Sequence, residues 1–194
     1  MAASTLRSLA VALCVALLVA VPVARGDDRV IRLGVPPWQG AQVKSAVVTD
    51  LLQRLGWQVE WTRAAAPLIF QELARGRLDA NLSAWVPGQE EAFRPLLDEG
   101  RIRVLGENLQ GARTGLAMPV ATAPDGIESL ADLPRAGDAL DRRIHCIEPG
   151  SGANTVTEAA IERDLYGLGD WSIVPSSTQA MLTQVGRAIR REEP

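Results

Sequence analysis

Cysteine and histidine are almost absent from this chain, and their scarcity excludes two kinds of structural support. The chain has two cysteines and one histidine. Cys14 lies in an N-terminal segment that we predict is removed, so Cys146 remains alone and no intramolecular disulfide can form. His145 and Cys146 are too few ligands for a zinc or copper cluster. We therefore expect a hydrophobic core to supply the stability, with no metal site and no cofactor.

Basic residues are also in deficit. The chain has 20 basic and 23 acidic residues, and the predicted loss of Arg7 and Arg25 leaves 18 basic residues and a net charge near −5 with His145 neutral. An acidic protein is a poor candidate for nucleic-acid binding and a better one for collecting cations. We expect no nucleic-acid partner.

The N-terminus has the order of features of a secretory signal. Arg7 precedes an apolar run over residues 9–21, and residues 24–26 offer small side chains at the −3 and −1 positions of a cleavage site. This run is shorter than the roughly 20 apolar residues that a membrane-spanning helix needs. We predict a signal peptide over residues 1–26, a periplasmic mature chain of 168 residues, and no membrane span after its removal.

Strands and helices are predicted to alternate in the first half of the mature chain. The predicted strands cover residues 30–35, 57–61 and 78–84, and the predicted helices cover residues 43–55 and begin at Pro67. This βαβαβ order with short connections predicts a parallel α/β lobe. We place this first lobe at residues 27–110, with a polar-faced helix over residues 88–97 and a strand over residues 101–105.

A second α/β lobe is predicted over residues 111–194. Strands are expected at residues 114–118 and 143–147. Three helices are expected, each opened by a capping box: Ser129 with Asp132, Thr155 with Glu158, and Ser176 with Gln179. The last of these helices has an apolar face, and we expect that face and the nearby sheet edges to be exposed, which makes this lobe marginally stable.

Two tryptophans follow the ends of predicted strands. Trp85 comes directly after residues 78–84, and Trp38 follows residues 30–35 after two prolines. In open α/β sheets, ligands bind at the carboxyl edge of the strands. A single Trp there is better explained by packing, because Trp is highly buried on average. Two at equivalent places indicate half of an aromatic cage.

A glycine-rich turn is the second candidate site. Gly150, Ser151 and Gly152 follow a predicted strand and precede a helix that contains Asn154 and Thr155. Free backbone N–H groups at the start of a helix attract an anionic group such as a carboxylate. The turn is neither a Walker loop nor a dinucleotide fingerprint, and on its own it is better explained as a plain tight turn.

Together the two features predict a ligand with a quaternary ammonium at one end and a carboxylate at the other. Trp38 and Trp85 would attract the cation, by about 1 to 2 kcal/mol per desolvated ring, and the residues from Gly150 to Thr155 would hold the polar end. A hydrolase is disfavoured, because Ser151 has only His145 as a candidate base and nothing marks a partner acid. We therefore expect a binding protein and not an enzyme.

The chain resembles the substrate-binding proteins of ABC importers for glycine betaine and choline, over nearly all of residues 29–191. The residues that carry the resemblance are 34–38, 67–70, 82–89, 150–154 and 176–182. The resemblance implies a type II periplasmic-binding-protein fold whose two α/β lobes close about a hinge. It implies a membrane permease with its ATPase as partners. It also implies that Trp38 and Trp85 belong to an aromatic box, and that Asn154 hydrogen-bonds the polar end of the ligand.

The chain departs from the family pattern in three places. Gly40 stands where choline-binding relatives have an acidic residue, which favours a betaine-like zwitterion such as glycine betaine or proline betaine over choline. Ala121 stands where they have a cage tyrosine. The family also continues beyond position 194 through another cage Trp, so the resemblance implies a C-terminally truncated member with an incomplete second lobe. Two alternatives stay open: a fragment without independent binding, and a ligand-sensing domain of the same fold.

Overall fold

The computed structural model describes residues 29–193, so the predicted signal peptide lies outside the described residues. The strands are β1 Val30–Val35, β2 Gln58–Arg63, β3 Ala80–Asn81, β4 Arg143–His145 and β5 Ser172–Val174. The helices are α1 Gln39–Arg54, α2 Ala66–Ala74, α3 Glu90–Asp98, α4 Gly152–Glu162 and α5 Thr178–Arg191. Within the described range the strands form two parallel sheets, one in the order β2-β1-β3 and one of β4 with β5. No helix among residues 29–193 has the length and apolar character that crossing a membrane requires.

The first sheet confirms the predicted parallel βαβαβ arrangement. β1 is its central strand and pairs with β2 along its whole length, whereas its pairing with β3 is confined to Leu33 with Ala80 and Gly34 with Asn81. Leu33 and Val35 are buried. A Cβ at Gly34 would lie 2.5 Å from Ile69 Cγ2. Glycine at this position therefore allows α2 to pack directly on the sheet.

Two separate hydrophobic clusters stabilise the part of the chain that the structure describes. The first joins α2 to α3 through Ala66, Phe70, Phe93 and Leu96, and Trp38 packs against it. The rings of Phe70 and Phe93 meet edge to face at 5.3 Å, a geometry worth about 0.5 to 1.5 kcal/mol beyond its buried area. The second cluster lies beside the smaller sheet and consists of Leu133, Ile144, Cys146, Leu168 and Trp171.

Three predicted strands need correction. The strand predicted over residues 78–84 is reduced to Ala80–Asn81, so it ends four residues before Trp85. The strands predicted over residues 101–105 and 114–118 are wrong, because both segments are irregular. Within residues 29–193 neither has a hydrogen-bonded neighbouring strand, and an alternating side-chain pattern forms a strand only when its backbone groups find such a partner.

Two of the three predicted helix caps are also wrong. The capping box of Ser129 and Asp132 is confirmed, and it opens a 3₁₀ helix. In α4 the cap is Ser151, whose hydroxyl accepts the backbone N–H of Asn154, so the helix begins three residues before Thr155. In α5 the cap is Ser177, whose hydroxyl accepts from Ala180 at 3.1 Å. In both cases a serine nearer the true boundary satisfies a free first-turn N–H group.

Helix α5 leaves its apolar face open, as its sequence predicts. None of its described residues is buried, and Leu182 and Ile189 are 46% and 53% exposed. The helix therefore gains little stability from burial of apolar surface. It is held to the rest of the second half of the chain by its N-terminal turn.

Candidate functional site

The loop after β1 places Trp38 against the second half of the chain. Trp38 is the N-cap of α1 and is half-buried. Its indole Nε1–H donates to a carboxylate oxygen of Glu148. The other oxygen of Glu148 accepts the hydroxyl of Thr178 at 2.9 Å, and the side-chain amide of Gln179 donates to Pro37 O at 3.3 Å. Residues far apart in the sequence thus meet around this ring.

Trp85 is held by a closed pair of hydrogen bonds with Gln89. The Trp85 N–H donates to Gln89 Oε1 at 2.9 Å, and the Gln89 N–H donates to Trp85 O at 2.8 Å. Gln89 is only 2% exposed, and its Nε2 has no acceptor among the described residues. Trp85 itself is 38% exposed. The turn is therefore rigidly bonded, while the ring stays accessible.

The two halves of the chain touch through glycines. A Cβ at Gly152 would lie 3.0 Å from the carbonyl carbon of Gly88, and a Cβ at Gly150 would lie 2.6 Å from Pro67 Cγ. Gly150 also has a φ of +78°, a conformation that glycine adopts without a steric penalty. Glycine is therefore needed at positions 150 and 152 to let the second half approach the Trp85 turn.

The rest of the glycine-rich turn is bonded within itself. Ser151 and Asn154 are 2% and 1% exposed. The Ser151 hydroxyl donates to Asn154 Oδ1 at 2.9 Å, and Asn154 Nδ2 donates to Ile147 O at 3.0 Å. The Thr155 hydroxyl donates to Ser151 O at 3.2 Å. These bonds fix the shape of the turn, and a ligand contact by Asn154 or Thr155 stays a prediction.

Trp38 and the Trp85 turn therefore both contact the segment over residues 148–155, which carries the other five residues predicted for the site. The segment over residues 148–155 reaches Trp38 through Glu148 and reaches the Trp85 turn through Gly152. Sequence reasoning missed Glu148 and Gln89. A charged residue at the end of a predicted strand was the available signal for Glu148, but the sequence does not say which ring it meets.

A separate groove of about 820 Å³ borders the outer edge of β3. Its floor includes Phe70, Leu78 and Phe93, and its far wall is the irregular segment over residues 101–112. Asn108 anchors that wall by donating to Leu82 O at 2.9 Å. Trp85 lines this groove and Trp38 does not, so this groove does not bring the two tryptophans together.

Comparison with known proteins identifies the family. Residues 29–194 match the substrate-binding domain of ABC-type glycine betaine transport systems. The chain belongs to this family. Its members are components of transport systems and not enzymes, so the prediction of a non-enzymatic binding protein is confirmed, as is the resemblance inferred from the sequence.

Solved structures confirm the α/β periplasmic-binding-protein fold. The chain is similar to an ABC-transporter choline-binding protein in complex with choline, with 28% identity and a TM-score of 0.78 over 86% of this chain and 57% of that one. It is also similar to lactococcal OpuAC in its closed form with glycine betaine, with 28% identity and a TM-score of 0.72 over 86% of this chain and 62% of that one. The chain thus spans about three fifths of the length of these structures.

A shorter relative is the uncharacterized protein ORF1 of Chromohalobacter salexigens. It is 27% identical over 124 residues, which cover 64% of this chain and 80% of that protein.

Proposed function

We propose that this protein is the extracytoplasmic solute-binding component of an ABC importer for a quaternary ammonium compound such as glycine betaine, choline or proline betaine. The observation that carries the proposal is the placement of Trp38 and Trp85 in loops beyond two strands of one parallel sheet, with Trp38 bonded to Glu148 and the turn that follows Trp85 packed against Gly152. The family and the choline and glycine betaine in the similar structures support the choice of ligand. A membrane permease with its ATPase would be the partners, and the predicted signal peptide would direct the chain to the periplasm.

The chemistry of the ligand matches these side chains. A trimethylammonium group has no N–H to donate, so a protein holds it with aromatic faces and negative charge rather than with hydrogen bonds. Trp38 and Trp85 would form part of the aromatic box, and the turn from Gly150 to Thr155 would face the polar end. Because the two tryptophan loops touch the second half of the chain, a ligand between them would favour the closed arrangement.

The proposal is tested by ligand-dependent melting and tryptophan fluorescence with and without millimolar glycine betaine or choline. A ligand that binds only the folded state, at a hundred times its Kd, should raise the melting temperature by about 5 to 10 °C. Trp85→Ala should abolish that shift. Trp57→Ala is the matched control, because Trp57 is similarly exposed at 36% and immediately precedes β2, away from the ends where the predicted site lies.

A response to neither ligand in the unmodified chain would overturn the proposal and favour a fragment without independent binding. A shift that Trp85→Ala leaves unchanged would mean that binding does not use the predicted box.

A further inference from the structure

Glu148 is the one charged side chain among residues 29–193 that is hydrogen-bonded to a candidate tryptophan. Its carboxylate accepts the Trp38 indole N–H and the Thr178 hydroxyl, and the residue is half-buried. Among residues 29–193 no arginine or lysine forms a salt bridge with it. The negative charge of Glu148 is therefore held in place by neutral donors and is not neutralised by a cation of the protein.

The bond to the indole fixes where this charge lies relative to a bound cation. An acceptor on the indole N–H lies at the edge of the ring, whereas a bound ammonium stands over its face, within about 6 Å of the ring centre. The carboxylate and the ammonium are then separated by roughly one Debye length at physiological salt, about 8 Å, or less. In a partly desolvated site, charges at this separation interact strongly enough to alter affinity.

We propose that Glu148 sets the charge preference of the site and orients Trp38, so that the protein selects a quaternary ammonium ligand without a carboxylate over a zwitterion. This inference rests on the proposed function. A ligand of choline's type gains affinity from the negative charge of Glu148, whereas the carboxylate of a betaine-type ligand is repelled by that charge.

This preference is the opposite of the one drawn from Gly40. The sequence alone favours a zwitterion, because the acidic residue expected two positions after Trp38 is missing. The structure supplies an acidic group to the same tryptophan from a position 110 residues further along the chain. Trp38 therefore has an acidic neighbour, Glu148, even though position 40 is a glycine.

The test compares the Kd values of choline and glycine betaine, measured by calorimetry on the purified full chain and on Glu148→Gln. The substitution removes the charge and keeps both bonds, because a glutamine amide accepts the indole N–H with its oxygen and donates to the Thr178 hydroxyl with its nitrogen. Glu158→Gln is the control, since Glu158 is an exposed glutamate of α4.

We expect the Kd of the unmodified chain to be lower for choline than for glycine betaine by about tenfold or more. Glu148→Gln should remove most of that preference by weakening choline binding, while the Kd for betaine changes by less than about threefold. The preference of the unmodified chain should also shrink between about 20 mM and 500 mM salt, because screening weakens charge interactions. This second measurement needs no variant, so it tests the charge dependence of the preference even where Glu148→Gln fails to fold.

A preference for betaine, or a ratio that neither Glu148→Gln nor salt changes, would overturn this inference and leave the proposed function standing. Failure of both ligands to bind the unmodified chain would overturn the two together.

Discussion

At the scale of single residues, Gln89 connects the fold to the candidate site. Its buried side chain accepts the backbone N–H of Trp85, and that bond fixes which end of the amide is the oxygen, because only the oxygen can accept. The remaining Nε2 faces no acceptor among residues 29–193. Gln89 thus determines the path of the backbone at Trp85, and its Cγ lies against Gly152.

Replacing Gln89 with leucine tests this role. Gln89→Leu leaves the Trp85 N–H without its acceptor, which should cost about 1 to 3 kcal/mol of unfolding free energy. Gln53→Leu on the exposed side of α1 is the control, and it should change stability by less than about 0.5 kcal/mol. The measurement is urea denaturation of both variants. Equal stability of the two would show that the Trp85 turn does not depend on Gln89.

At the scale of elements, the contact between α2 and β1 depends on the absence of a side chain at position 34. The nearest atoms to a Cβ there would be Ile69 Cγ2 at 2.5 Å and Leu78 Cδ1 at 2.9 Å. Both belong to buried residues of the core. A methyl group can be accommodated only if α2 moves away from the sheet.

Gly34→Ala is therefore expected to destabilise the chain by about 1 to 3 kcal/mol, the usual cost of overpacking a core. Gly40→Ala is the matched control with the opposite sign. A Cβ at Gly40 meets nothing within 4 Å, and alanine is favoured over glycine in a helix by about 0.5 to 1 kcal/mol. Thermal unfolding of the two variants should shift in opposite directions. A Gly34→Ala chain that melts no earlier than the wild type would contradict the packing described here.

The sequence predicts elements with local signals well and those that need distant partners poorly. β1 matches its predicted bounds because prolines end it and its residues suit a buried central strand. Residues 101–105 carry the same kind of pattern, yet within the described range they find no strand to pair with. The same distinction between local and distant signals applies to the candidate site. Trp38 and Trp85 are recognisable from strand ends, whereas the bond from Trp38 to Glu148 spans 110 positions and has no local signature.

At the scale of the whole molecule, the two clusters differ in how they are supported. The first sits between a three-stranded sheet and two helices, while the second lies on a two-stranded sheet whose neighbouring helix α5 contributes no buried residue. Regions with fewer buried apolar contacts open more readily. We predict that the second cluster opens first on addition of denaturant.

The Cys146 thiol can be used to detect that opening, because Cys146 is 7% exposed within the second cluster. Burial, reinforced by the charge of Glu158, raises the pKa of the Cys146 thiol, so the thiol reacts slowly until it is exposed. Two variants are compared, both with Cys14 replaced by serine: one keeps Cys146, and the other carries Ser45→Cys in a Cys146→Ser background. A thiol-reactive aromatic disulfide should label Cys146 at a lower urea concentration than it labels the cysteine at position 45. Ser45 is the matched site, since it is 2% exposed in α1. Simultaneous labelling would show that the chain unfolds as one unit.

The same thiol makes the stability of the folded chain depend on pH, in a direction that follows from its raised pKa. Because its pKa is higher in the folded chain than in the unfolded one, the folded state holds the proton more tightly. The resulting stabilisation is fully present below the ordinary thiol pKa of about 8.5 and declines as pH rises through the folded value. Cys146→Ser should flatten the decline of stability above that pH.

The meeting of Gly88 and Gly152 has a consequence for how this protein can be studied through its evolution. A Cβ at Gly152 would come within 3.0 Å of the backbone of Gly88, so we expect selection for this contact to keep glycine at position 152 rather than to exchange one pair of residues for another. Positions that never vary cannot covary. Contact inference from alignments would therefore give no signal at the point where the two halves of the chain touch, and substitutions introduced there in the laboratory are the way to detect it.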